Sequence, residues 1–570
     1  LRPREVPTPP NFTVTGDPAT ITWRLGDVVH STPTAVSRPA EGYHMLYQDA
    51  GYAEYFNEHE HRRHVIYFGG NDGMVHAING GFYDESNQKF WRGFDKNTGT
   101  FSDTGPELGA ELWAYVPYNL LPHLKCMLEP DYQHKYYVDL KPRIFDVQIF
   151  DDNSAGSGHV KGWGTIMVVG MRFGGTRTTA QDIIDDVAPG AYTDTRIFTS
   201  AYMVFDVSNP ENPRLLGEMT YDTVSLAPSV DLAYSAAVPA VVPIKTDTSS
   251  DWYLILGSGP TDVTGVSDQT PKIGMYPLNL LGSTTLPQFR IPASPGSITH
   301  ATPGSYDLVQ KDAANADILG FVADTVTVDY DLDELFKADV VYFGTVRFYD
   351  IKDKTDNAQE YFYGIKETVD AETWEFTWAD VENTQTTTPT APGNDAGMRT
   401  LLPVGAIQVE EATNPAFATL NCKTGEEGCL PSGVNTFSDL QDYIVGTCAK
   451  DTGCTGTDGW VLALEDIGER NLGQGALLGG LMTFTTYEPF VDVCKPEGDA
   501  FLYGVYFQTG TAFYEPVFTT QTGGGTQTGD AGTTVVTSRL SIGRGLATTP
   551  NLHVGRQEGS KAFVQTSTGT

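Results

Sequence analysis

The chain has 570 residues, 40% of them hydrophobic and 19% charged, and its 72 acidic side chains against 36 basic ones leave a net charge of −36. So negative a surface repels phosphate backbones and anionic lipid, which sets aside nucleic acid and direct membrane insertion, and no apolar run approaches the roughly 20 residues of a membrane span. With 60 Gly, 34 Pro, 28 Tyr and 28 Phe, the composition suits many short strands joined by tight turns and suits long helices poorly.

The chain opens at Leu1 with LRPREVPTPP, so residues 1–22 read as an extension or linker in a processed or fragmentary product. In HVIYFGGNDGMVHAING (64–80) two apolar runs flank GGNDG, a hairpin turn whose Asn71, Asp72 and Gly73 tolerate left-handed backbone. Just before it, NEHEHRRH carries His59, His61 and His64. Their spacing is not H-E-x-x-H, and Arg62 and Arg63 bring positive charge, so a solvated loop is expected rather than a metal site. DKNTGTFSD (95–103) sets Asp95, Asn97, Gly99, Phe101 and Asp103 at every second residue. That spacing serves either a second calcium loop, with Asp95, Asn97 and Asp103 as side-chain ligands, or an ordinary inter-strand turn.

NLLPHLKCML (119–128) and FSDLQDYIVGTC (437–448) are the helical turns to expect, both peripheral. Strand-like runs of β-branched and aromatic residues punctuated by glycine recur at 165–175, 201–219, 252–259, 338–350, 459–464, 480–489, 501–510 and 561–570. Short strands at this density predict an all-β sandwich, barrel or propeller, and the length favours a propeller of about seven blades at four strands each. The Thr/Gly-rich stretches 381–395 and 521–534 cannot pack a core. Region 351–458 has the weakest strand pattern and reads as a cysteine-containing insertion, a small decorated subdomain in a propeller spanning 23–570.

VDYDLDELFKADVVYFG (328–344) is the best chemical constellation. Asp329, Asp331 and Asp333 alternate, and Asp339 follows just before a strand. Carboxylates so close repel one another unless a cation sits among them, and Ca²⁺ takes six to eight oxygens, with Lys337 offering its backbone carbonyl. The plain alternative is an acidic surface turn. Cys126, Cys422, Cys429, Cys448, Cys454 and Cys494 are six in number. An even count in loops favours disulfides, with Cys422–Cys429 and Cys448–Cys454 as the local pairs, cross-pairing as the alternative, and Cys126 or Cys494 left reduced. No C-x₂-C pair supports zinc, and no G-x-S-x-G, P-loop or G-x-G-x-x-G is present.

WRLGDVVHSTPTAV (23–36), RRHVIYFGGNDGMVHAING (62–80), ELWAYVPYNLLPHL (111–124), YYVDLKPRIFDVQIF (136–150), GWGTIMVVGMRFGG (162–175), AYMVFDVSNPENPRLLGE (201–218) and GWVLALEDIGERNLGQGALLGGLMTFTTYEP (459–489) come in this order. Together they resemble the landmarks of the C-terminal propeller of the PilY family of type IV pilus proteins. The resemblance implies a distorted β-propeller without enzymatic activity. It implies an exported protein at the tip or base of the pilus that contacts pilin or minor pilin subunits and serves pilus biogenesis, adhesion and twitching, the tip being the place expected here. It also implies a calcium loop of the form D-x-D/N-x-D-x₃-D before a V-Y-x-G strand, which Asp329, Asp331, Asp333 and Asp339 before VVYFG match in a slightly longer loop lacking that motif's glycine. Two other classes fit an all-β propeller: a pyrroloquinoline-quinone dehydrogenase, which an absorbance spectrum separates, and a secreted lectin or receptor-binding propeller.

Overall fold

The computed structural model describes the chain apart from residues 1–24, 130, 152–157, 182–194, 221–231, 246–249, 283–287, 293–303, 308–318, 329–335, 338–339, 347–358, 370–375, 379–400, 447, 450–452, 455, 458, 491–497, 519–524, 531, 556–558 and 569–570. The expected extension 1–22 lies outside the described residues, as does the Thr/Gly-rich stretch 381–395. Glycine-punctuated runs of β-branched and aromatic residues produce what they predict: strand after short strand with few helices, an all-β chain. It divides into two compact units, one holding residues 1–228, 233–236 and 278–292, the other 229–232, 237–277 and 293–570. Each contains antiparallel sheets whose strands largely follow one another in sequence, the kind of meander from which propeller blades are built. The expected count of about seven blades comes from length alone.

In the first unit, His64–Gly70 and Met74–Asp84 form the predicted hairpin, ending in the register pair Gly70↔Met74. Of the three turn residues only Gly73 takes left-handed backbone, at φ 84°, where a side chain would be strained. Thr34–Val36 pairs with the first strand of the hairpin and Glu111–Tyr115 with the second. The next sheet orders Arg143–Gln148, Trp163–Gly170, Tyr202–Asp206 and Arg214–Thr220 as antiparallel neighbours, and Gln288–Pro292 adds in parallel at its edge. Trp163–Gly170 is buried at every position, which is why TIMVVG reads as a continuous apolar run instead of alternating. Tyr67, Val75 and Trp113 from the first sheet share a buried core with Met167, Met203 and Phe205 from the second.

The second unit begins with a meander of Ala240–Lys245, Ser250–Gly257, Lys272–Pro277 and Gly304–Asp307. Val340–Val346, Tyr361–Val369 and Gly459–Ala463 make the centre of the following sheet, and Leu481–Pro489, Gly498–Tyr506 and Arg539–Arg544 the centre of the next. The helix Phe437–Val445, expected to be peripheral, is instead part of the core. Its Phe437, Leu440 and Ile444, spaced i, i+3, i+7, are buried together with Leu402, Val409, Phe362 and Trp460. A capping box fixes its start: the Thr436 hydroxyl accepts from the Asp439 amide while the Asp439 carboxylate accepts from the Thr436 amide. The described part of 351–458 is therefore packed into the unit, because its apolar residues have an opposing sheet on which to close.

Cys422 and Cys429 form a disulfide, one of the two local pairs expected. Cys448 and Cys454 face each other as backbone partners in a two-residue ladder. Cys126 is outside any disulfide, and Cys494 lies outside the described residues. No described helix is long and apolar enough to cross a membrane.

Candidate binding cleft

Asp329, Asp331, Asp333 and Asp339 lie outside the described residues. Lys337 sits in the short strand Phe336–Lys337, its backbone opposite Ile244, and Val340–Val346 after it is the buried strand that VVYFG predicts. In the second candidate loop, Gly93–Asp95 and Thr100–Ser102 pair as a hairpin with Asp95 opposite Thr100. The Asp95 carboxylate accepts from the Asn97 amide at 2.9 Å, an Asx turn, and the Thr98 side chain and that amide hold its pKa below the usual carboxylate value. Gly99 carries the left-handed turn position at φ 66°. Asp103, exposed past the far end of the hairpin, reaches Lys89 at 4.0 Å. Among the described residues no group of three or more His, Cys, Asp or Glu is placed to hold a metal ion.

The same hairpin forms one wall of a cleft of about 760 Å³ in the first unit. The opposite wall begins with Ala50–Glu58, a helix that Asp49 caps by accepting from the Tyr52 amide at 2.7 Å. Tyr52 and Tyr55, three apart, turn inward from it and are fully buried, so the segment leaving the helix is held against the sheet. The NEHEHRRH run is only in part the solvated loop expected: Asn57, Glu58, Glu60 and His61 are exposed, while its two arginines are not. Arg62 and Arg63 are only 8% and 6% exposed, because each finds acceptors that local sequence does not supply. Arg62 donates to Ser37 O, to Thr165 Oγ1 at 2.8 Å and to Tyr55 Oη at 3.3 Å. Arg63 donates to Glu211 Oε1 at 2.6 Å, Asn79 Oδ1 at 2.8 Å and Arg92 O at 3.1 Å, while its guanidinium lies 4.5 Å over the Phe82 ring.

The three histidines of this run do not converge. His59 Nε2 donates to Gly158 O at 2.7 Å, and burial, together with the Arg62 charge, pushes its pKa down to about 4, so the ring is neutral at pH 7. His61 lies against Phe94 with ring centroids 4.7 Å apart, and His64 meets Phe90 edge-on at 5.2 Å. Lys96 pairs with Glu58 across the mouth. His159, on the third wall, donates Nε2 to Asp206 at 2.9 Å and stacks on Phe150 at 3.9 Å. The helix cap and the Tyr52/Tyr55 spacing could have revealed the helix. Nothing in the sequence pointed to Phe82, Phe94, Lys96, His159 or Glu211 as neighbours, since Arg63 and Glu211 stand 148 positions apart.

Behind the cleft, Asp146 accepts from the Ala40 amide at 3.0 Å, Tyr52 Oη at 2.7 Å and Thr165 Oγ1 at 2.6 Å. Glu41 lies beside it, and burial first, then the Asp146 charge, raises its pKa to about 7, against a smaller lowering by Arg143. An acid whose folded pKa is raised holds its proton more tightly folded than unfolded. The stability it contributes is thus present at low pH and is lost as pH climbs from 4.5 through about 7. Thermal midpoints measured from pH 4.5 to 7.5 should fall across that window by an amount equivalent to about 2 kcal/mol, and Glu41→Gln should flatten the fall. An unchanged profile in the variant would assign the titration elsewhere.

No family model matches the chain. A curated protein of Xylella fastidiosa (strain Temecula1), described as a type IV pilus biogenesis factor PilY1 homolog, is 25% identical over 250 residues, 42% of this chain and 12% of that protein. A second from the same organism is 26% identical over 239 residues, covering 41% and 14%. The type IV pilus biogenesis factor PilY1 of Pseudomonas aeruginosa (strain UCBPP-PA14) is 25% identical over 242 residues, covering 41% and 15%. The matched stretch is thus at most 15% of the length of these relatives. Among solved structures, the crystal structure of the Pseudomonas aeruginosa PilY1 C-terminal domain is similar with a TM-score of 0.43 and 15% identity, over 93% of this chain and 97% of that one.

Proposed function

We propose, starting from the premise that this chain is a PilY-family protein, that it is a type IV pilus component acting in pilus biogenesis through protein contacts and without catalysis. The observation that carries this is the similarity to proteins so described across 41–42% of the chain. Its partners are pilin or minor pilin subunits, and its place is outside the cell, at the pilus tip, where it serves surface adhesion. The net charge of −36 supports a solvated, exported surface whose contacts are basic protein patches or divalent cations.

The finer part of the reading is a calcium-dependent switch. Asp329, Asp331, Asp333 and Asp339 with the Lys337 carbonyl bind Ca²⁺, and the ion orders their loop ahead of the buried strand Val340–Val346. Extracellular sites have dissociation constants of about 10⁻⁴ to 10⁻³ M. At free calcium equal to that constant, binding adds only about 0.4 kcal/mol, which suits gating of pilus extension against retraction better than structural stapling. Calorimetric titration of the purified chain should give saturable binding in that range, weakened at least roughly tenfold in Asp331→Ala, with matching loss of calcium-dependent twitching. Superimposable binding and motility for the two proteins would end the calcium reading. Normal piliation in a strain lacking the chain would end the pilus reading itself.

A further inference from the structure

The cleft between the helix Ala50–Glu58, the hairpin Gly93–Ser102 and the loops at 158–160 and 208–211 is built rather than incidental. Its walls are pinned from four directions: His59 to Gly158 O at 2.7 Å, Arg63 to Glu211 at 2.6 Å, Lys96 to Glu58, and His159 to Asp206 at 2.9 Å. At about 760 Å³ it is of the size that takes small organic ligands, which prefer preformed clefts with a few placed polar groups.

The charge arrangement narrows what it takes. Its cations Arg63 and Lys96 each face a carboxylate, Glu211 and Glu58, within the cleft itself. Arg62 is turned away onto Ser37, Tyr55 and Thr165. His59 is neutral at pH 7 for want of solvation. Among the described residues of the lining no strongly uncompensated charge is left to select an ion. What the lining offers is aromatic and imidazole surface, with Phe82 and Phe94 5.9 Å apart and His61 against Phe94. Around that surface lie carboxylate acceptors, guanidinium and ammonium donors and the Asn57 amide, all within one mouth. A ligand complementary to this lining needs an apolar face to stack on a ring and, at its edge, hydroxyls that both donate and accept. That is the chemistry of a neutral sugar.

We infer that this cleft is a binding site for a neutral glycan, stacked on Phe94 and hydrogen-bonded by the Glu58, Lys96 and Glu211 side chains at its rim. The site deepens the adhesive reading by naming a class of surface ligand, and it is independent of calcium. The purified chain would be screened against immobilised oligosaccharides ending in galactose, mannose, fucose or N-acetylglucosamine, with sialylated and sulfated glycans and a peptide panel alongside. At least one neutral glycan should bind. Titration of that glycan should show affinity reduced roughly tenfold in both His61→Ala and Phe94→Ala, the size expected from losing a ring contact. His61 is exposed, so its variant keeps the fold and remains informative if Phe94→Ala does not. Binding of only acidic glycans or peptides, absence of neutral-glycan binding, or equal affinity in the His61 variant would overturn the inference. Piliation of cells carrying His61→Ala stays normal on this view, so failure of the glycan site and failure of the pilus role give different results.

Discussion

Arg539→Ala is expected to destabilise the second unit by about 3–5 kcal/mol, the range for removing one partner of a buried ion pair. Arg539 Nη2 donates to Glu469 at 3.1 Å and to Asp466, and Nη1 donates to Glu465 at 3.2 Å. Its guanidinium lies 3.5 Å over the Phe501 ring. Glu469 is fully buried, with Thr486 and Tyr503 hydroxyls donating to its carboxylate. Burial already raises its pKa, and the Arg539 charge works against that rise. Without Arg539 the carboxyl either keeps a buried charge unpaired or takes up a proton, so the variant should be the less damaged at low pH. Denaturant unfolding of the parent and the variant at pH 5 and pH 8 measures this. The double variant Arg539→Met, Glu469→Gln should recover most of the loss, because it removes both charges while keeping the packing. A single variant within about 1 kcal/mol of the parent, the ordinary effect of a surface change, would mean that the pair is solvated.

Glu218→Ala should have a comparable effect in the first unit, again about 3–5 kcal/mol, because it withdraws one acceptor from several buried donors at once. Four donors converge on this carboxylate: Tyr115 Oη at 2.7 Å, the Tyr118 amide at 2.7 Å, the Asn119 amide at 3.1 Å and Asn119 Nδ2 at 2.6 Å. Burial raises the Glu218 pKa and these bonds pull it back. The carboxylate thereby ties the first turn of the 3₁₀ helix Tyr118–Leu128 to the strand Arg214–Thr220. Limited proteolysis should cut the alanine variant within 118–128 where the parent resists. Glu218→Gln, which keeps an acceptor oxygen, should lose only about 1–2 kcal/mol. Equal loss in the two variants would show that side-chain packing, not hydrogen bonding, holds the helix.

These two carboxylates mark the boundary between what a linear reading reaches and what it does not. The hairpin 64–80 was legible because its turn chemistry and its two apolar runs are contiguous, and the register followed with Gly73 in the left-handed position. The Cys422–Cys429 disulfide was one of the local pairings that spacing suggested. The alternating acids at 95–103 were read as either ligands or a turn, and Asp95 is engaged with its own turn amide.

The arginines of the NEHEHRRH run and the helix Phe437–Val445 differ from the sequence expectation for one shared reason. Both look exposed by composition, and both are covered by segments far away in sequence: Arg63 by Glu211, and Phe437 by Tyr506 at 5.3 Å between rings. Sequence alone determined the all-β class and the short glycine-bounded strands, since these depend on backbone preferences and on contiguous patterns. Only the tertiary structure decided which charged residues are buried and which side chains share a cleft. Burial and pairing are properties of segments brought together by packing, and a charged residue carries no local mark of the partner that will cover it.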